Sequence, residues 1–222
     1  MRVFVSLIRG ARAVESMNQE QFELIKGYSK EQMAKLGSHA WPHIQRVLHL
    51  CKAISKEEQN VAVDLDIVGV ATLLHDIAKH HEKEGRSLNH GDVGAVMAEN
   101  FLQSVGFSDE KIKLVCHAIR AHTHREEPTS IEAKILHDAD FIDKLGAVGI
   151  ATIFIKACLT NETIEEVAEA FESGTPKQSY VAKHVRWLKT PHPYTKTAQK
   201  VAGKRNESSN ILRGVEKGNR IK

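Results

Sequence analysis

Residues 66–79, DIVGVATLLHDIAK, constrain the fold of this chain more than any other stretch. Read at helical spacing they are apolar on almost every side, and a helix apolar all round has to be buried among other elements. The stretch ends on an adjacent His75 and Asp76, so two polar side chains enter an apolar interior together. A buried carboxylate is costly unless a cation, a metal or several hydrogen bonds meet it. This one segment therefore calls for helices around it and for chemistry at its end.

The rest of the chain repeats the helical period and lacks the alternation of half-buried strands. Spacing predicts a first helix over 20–35, with Phe22, Ile25 and Met33 at its apolar positions. Pro42 suits the first turn of a second helix, where its missing N–H costs nothing. That helix carries Ile44, Val47, Leu48, Cys51 and Ile54 on one face. A polar loop is expected over 80–89, then a helix from Gly91 closed by Gly106, and another opened near Ser108. Pro128, Thr129 and Ser130 precede a helix over 131–145, and residues 146–159 (GAVGIATIFIKACL) read as a second buried segment. Segments 162–172 and 195–217 read as outer helices, separated by the PHPYT break at 191–195. The expectation is an all-α, multi-helix bundle of roughly eight to ten helices.

Length and composition narrow the function classes. At 222 residues the chain fits one domain with an appendage and can bury a core without staples. Cys51, Cys116 and Cys158 are far apart and form no CxxC pair, which argues against a disulfide scaffold or thiolate zinc finger and for a reducing compartment. No apolar run approaches the ~20 residues of a membrane span, and MRVFVSLIRG is too short and too interrupted by Arg for a secretory leader. A cytoplasmic protein with no membrane partner is expected. Residues 1–176 hold 19 basic and 26 acidic side chains, whereas 177–222 hold 12 basic and two acidic. Such a tail can attract phosphates or nucleic acid, or simply form a solvated helical face. We divide the chain into an N-terminal extension (1–17), a site-bearing domain (18–160) and a basic helical extension packing on it (161–222).

Eleven of the 13 His lie between His39 and His137, the region that holds the buried segment. An HD dipeptide alone is most often a helix-terminal hydrogen-bonding pair. His43, one turn into the preceding helix, and Asp140, in KILHDADFIDKL, add to it a mixed nitrogen and oxygen set suited to a hard or borderline divalent ion.

In order, SHAWPHIQRV, LLHDIAK and EAKILHDADFIDKLGAVGIA resemble the HD-domain metal-dependent phosphohydrolases, across roughly residues 30–216. Relatives often carry HDW where this chain has His39-Ala40-Trp41, and Ser38 or His39 is then left to cap the second helix. The resemblance implies His43, His75, Asp76 and Asp140 as metal ligands, with Asp143 on the same helix face as Asp140 and Asp138 on another. It implies a divalent ion whose identity (Mn, Mg, Co, Ni, Fe or Zn) the sequence does not distinguish. His90 and His122 match the places from which binuclear relatives draw a second metal site, and either could instead hold a substrate phosphate. Catalytic roles fall to Asp76 as base and to Lys79 and Arg46 as cations for the phosphate, with Arg86, Arg120 and Arg125 as further candidates. His80, His81 and His124 are read as loop residues and His49 as a surface residue.

The function implied is hydrolysis of a phosphate mono- or diester, with a nucleotide as the small-molecule substrate, by a metal-activated water. The alternatives are a di-iron HD oxygenase, which needs the extra His, and a non-catalytic nucleotide- or nucleic-acid-binding regulatory module using the basic tail.

Overall fold

Short polar side chains open most of the helices, and they do so where the sequence places them. In the computed structural model, which describes residues 16–37, 40–58, 61–83, 89–167 and 193–214, Asn18 and Gln21 form a reciprocal capping box at the start of α1 (Gln19–Ala34). Asp64 caps α3 (Leu65–Leu74), Asn89 caps α5 (His90–Ser104), Ser108 caps α6 (Asp109–Ala121) and Ser130 caps α7 (Ile131–Asp143). Each cap satisfies one of the N–H groups that a first helical turn leaves unpaired. The remaining helices are α2 (Ala40–Glu57), the five-residue α4 (Lys79–Lys83), α8 (Gly146–Thr160) and α9 (Lys196–Gly214). Residues 164–167 are also helical, and Thr163 and Glu166 cap them reciprocally. The fold is all-α, with no strand among the described residues.

α3 lies at the centre, against α1, α2, α6 and α7, and α2 packs along α7 as α5 packs along α6. Ile67, Val70, Leu73 and Leu74 of α3 are fully covered, together with Ile44 and Val47 of α2, Ile119 of α6 and Ile135 and Leu136 of α7. The second helix carries its apolar stripe as its spacing predicts, with Ile44, Val47, Cys51 and Ile54 inward. Gly106 takes a φ of +79° as the chain leaves α5, the left-handed conformation that glycine adopts without strain.

Three expectations are corrected. The third helix was expected to run to Lys79, but its regular part ends at Leu74 and His75–Ala78 form turns before α4 begins. The expected polar loop over 80–89 is in part helix, and His80 is buried in it. Residues 146–159 are not buried all round. α8 covers Gly149, Ile153 and Ala157 but exposes Val148, Ile155 and Leu159.

The C-terminal α9 packs on α7 and α8, and its Ala198 and Ala202 enter the main core. Asp138, fully buried, accepts hydrogen bonds from the backbone N–H of Tyr194 and Thr195 and from Thr195 Oγ1, which fixes the start of α9. No helix among the described residues is long and apolar enough to cross a membrane.

Candidate metal centre

The site is built from helix ends. His43 lies in the first turn of α2, His75 and Asp76 follow the last residue of α3, His90 opens α5 and His122 closes α6. Asp140 comes from the last turns of α7. The four candidate ligands His43, His75, Asp76 and Asp140 meet, and His90 and His122 join them from the other side of Asp76.

The distances describe a carboxylate between two pairs of imidazoles. Asp76 Oδ2 lies 3.6 Å from His43 Nε2 and 3.7 Å from His75 Nε2. Its Oδ1 lies 3.3 Å from His90 Nε2 and 3.6 Å from His122 Nε2. Asp140 Oδ1 is 3.4 Å from His43 Nε2. The ring nitrogens also face one another, His43 Nε2 and His75 Nε2 at 3.4 Å and His90 Nε2 and His122 Nε2 at 3.2 Å.

The far side of three rings decides what their inner nitrogens present. His75 Nδ1 is 2.8 Å from the Thr72 carbonyl and His122 Nδ1 is 2.5 Å from the Ile119 carbonyl, each three residues back in its own helix. A carbonyl only accepts, so Nδ1 carries the proton and Nε2 of the neutral ring points a lone pair inward. Burial lowers the pKa of both rings, that of His75 to about 3, and keeps them neutral. His43 Nδ1 lies 2.8 Å from Asp143 Oδ2, while Arg46 grips the same carboxylate with Nε at 2.7 Å and Nη2 at 2.9 Å. Burial lowers the pKa of His43, but Asp140 and Asp143 outweigh it and the net shift is upward.

Both inner carboxylates stay charged although buried. Burial raises the pKa of Asp76, yet Lys79, with Nζ at 2.7 Å from Oδ2, helps hold it well below the usual range. Lys144 does the same for Asp140, at 2.5 Å from its Oδ2. The other oxygen of each, Asp76 Oδ1 and Asp140 Oδ1, is buried and accepts no hydrogen bond from the described residues. Two unpartnered carboxylate oxygens and inward lone pairs form a donor set with nothing to donate to, which is what a cation would complete. One donor atom each of His43, His75 and Asp140, and likewise of His75, Asp76 and His122, lie within 4.8 Å of one another. These residues fit a divalent ion of hard or borderline character, and the two groupings share His75.

The remaining site expectations divide. Lys79 stands at the start of α4 rather than at the end of a long helix, and it reaches Asp76. Arg46 reaches Asp143. Arg120 lies 3.8 Å from Glu126 and Arg125 3.2 Å from Asp92, away from the inner carboxylates. Arg86, Ser38 and His39 lie outside the described residues. His49 is exposed and His124 occupies a turn with φ +58°. The sequence reading missed Lys144, although its place four residues after Asp140 put both on one helix face.

Residues 41–145 match the HD-domain family model, and that span begins just before His43 and ends just after Lys144. Residues 41–145 thus form an HD domain. The chain is 34% identical over 125 residues to the uncharacterised protein YpgQ of Bacillus subtilis, an alignment covering 54% of this chain and 57% of that protein. It is 32% identical over 139 residues to ribonuclease Y of Acidothermus cellulolyticus, where 61% of this chain aligns with only 25% of the relative. The chain thus spans about half or less of the length of these curated relatives. Among solved structures, YpgQ in complex with ADP superposes with a TM-score of 0.64 at 28% identity, over 88% of this chain and 94% of that one. A predicted HD superfamily hydrolase from an uncultured Thermotogales bacterium gives 0.60 at 28% identity, over 88% and 89%. At this level the comparisons support the fold of HD superfamily hydrolases.

Proposed function

We propose that this protein hydrolyses a nucleotide phosphate ester, mono- or diester, at the centre formed by His43, His75, Asp76 and Asp140. The reading is carried by the two buried, unpartnered oxygens of Asp76 and Asp140 facing inward imidazole lone pairs. The ADP complex of YpgQ supports a nucleotide and the likeness to ribonuclease Y supports a phosphodiester, and in this chain both remain proposals.

When bound, a divalent ion supplies Lewis acidity toward a phosphoryl oxygen and lowers the pKa of a water. The chain does the rest. Asp143, held by Arg46, orients His43, while the Thr72 carbonyl orients His75. Lys79 and Lys144 keep Asp76 and Asp140 anionic. Asp76 would hold the ion through one oxygen and accept a proton from the attacking water through the other. Lys79, 2.7 Å from Asp76 Oδ2, brings its charge to the same carboxylate, where it offsets charge gathering on the phosphate. Arg46 can serve the phosphate only by loosening its fork on Asp143.

The test is elemental analysis of the purified protein together with phosphate release across a panel of nucleotides and phosphodiesters. Asp76→Ala should lose bound metal and turnover together, and turnover that survives the substitution overturns the mechanism. Asp143→Ala should weaken metal binding by about 10–100-fold, as removal of an orienting partner does, read by metal titration.

The second donor group, through His122, with His90 beside it, favours one further reading, a di-iron HD oxygenase. Two irons per chain and oxygen consumption would support it. Low iron content, or His90→Ala with unchanged activity, counts against it. A non-catalytic nucleic-acid-binding role would rest on the basic tail. Because α9 is part of the core, neutralising Lys196, Lys200 and Lys204 to Gln tests that role better than deletion does. Unchanged RNA affinity and salt slope would remove it.

A further inference from the structure

Beside Asp143, residues of α2, α7, α9 and the start of α8 line an open cavity of about 680 Å³. Leu50, Leu145 and Val148 give it an apolar wall, and Arg46, His49 and Arg205 stand around them. The size falls in the range of small-molecule sites, and the mixture of an apolar wall with a few converging polar groups is typical of them.

The charges in this cavity do not cancel. Asp143 is the one carboxylate among its described lining residues, and Arg46 already takes both of that carboxylate's oxygens. Arg205 is half-buried and donates Nη1 to the Ile142 carbonyl at 2.8 Å, an uncharged acceptor. No carboxylate among the described residues pairs with it. A guanidinium has five N–H donors in a planar fork, so Arg205 keeps donors for an oxyanion. The imidazole of His49, exposed on α2, also lines the cavity. Arg205 therefore gives the cavity a cation with open donors beside its apolar residues.

We propose that this cavity is an accessory binding site for a phosphorylated small molecule with a planar or apolar body, its oxyanion on Arg205 and its body against Leu50, Leu145 and Val148. The site is separate from the one at which the ester is cleaved, and it gives α9 a role in recognition: Arg205 comes from the basic C-terminal region that the catalytic reading leaves without one. Binding here does not depend on the proposed hydrolysis.

The probe is phenylphosphonate, an aromatic oxyanion with no ester to cleave, titrated calorimetrically into the full chain with its metal and again in excess EDTA. Saturable binding is expected in both conditions, with affinities agreeing within about twofold, because the inner donors are not involved. Arg205→Gln should weaken it by about 10-fold or more, the scale of a lost charge-assisted hydrogen bond. Val148→Trp should weaken it comparably by filling the cavity from an exposed position, with the folded state of both variants checked by thermal melting. Absence of saturable binding by the unmodified protein overturns the proposal. So does unchanged affinity in both folded variants. Loss of binding on EDTA treatment overturns it too, by placing the probe at the metal centre and leaving the hydrolase reading intact. Failure of phosphate release in the nucleotide panel would sink that reading and leave this one standing.

Discussion

α3 and α8 are written in nearly the same residues, Leu, Ile, Val, Ala and Gly with few polar interruptions, yet they occupy opposite environments. Seven of the ten residues of α3 are buried, and α1, α2, α6 and α7 surround it. α8 buries only Gly146, Gly149, Ile153 and Ala157, a single stripe, with α9 packed against it. Apolar content states what a helix would gain by being covered, whereas neighbours decide whether it is. The same composition should thus carry very different free energies in the two places.

The largest test of that contrast is Leu74→Ala in α3. It should cost about 2–5 kcal/mol, the range for a fully covered Leu whose cavity cannot collapse, read by denaturant unfolding. Gly149→Ala should follow at about 1–3 kcal/mol. Although Gly149 lies in the more exposed helix, a Cβ there would meet the Lys144 carbonyl oxygen at 1.9 Å, so α8 is intolerant where it turns away from α7. Leu159→Ser, on the open face, should change stability by no more than about 0.5 kcal/mol. A loss as large as that of Leu74→Ala would mean that the α8 face is covered in solution. The smallest effect is chemical. Cys158 on α8 is exposed, while burial pushes the thiol of Cys51 up to about 12 and that of Cys116 up to about 11. One thiol per chain should react rapidly with a disulfide reagent at neutral pH and three after unfolding. Fast reaction of two in the native protein would contradict the buried packing of α2 or α6.

The helices were legible because their start signals are local. Asn18, Asp64, Asn89, Ser108 and Ser130 each bond to backbone N–H groups two or three residues on, so a short window holds the information. The residues that converge on the centre could be named from three motifs and their order. Their geometry could not, because it depends on contacts between distant segments. Asp143 reaches back 100 residues to His43, and nothing near either residue announces the bond. The break after Leu74 was missed for a related reason. Residues 75–78 have helix-compatible side chains, and nothing in their own sequence marks the turns that the assembled fold places there. The exposure of α8 was misjudged because its apolar residues were taken as their own evidence for burial.

The placement of the inner donors at the ends of different helices has a consequence for endurance as well as for chemistry. His43 and Asp140 are 97 positions apart in the chain, and His75, Asp76, His90 and His122 fall between them. An ion gripped by such a set acts as a clasp across most of the domain, one that the unfolded chain cannot form. At an ion concentration 1,000 times its dissociation constant, mass action adds about 4.1 kcal/mol to the folded state. The protein's lifetime would then track the supply of its metal, and a cell that withdrew the ion would loosen the scaffold along with the catalyst.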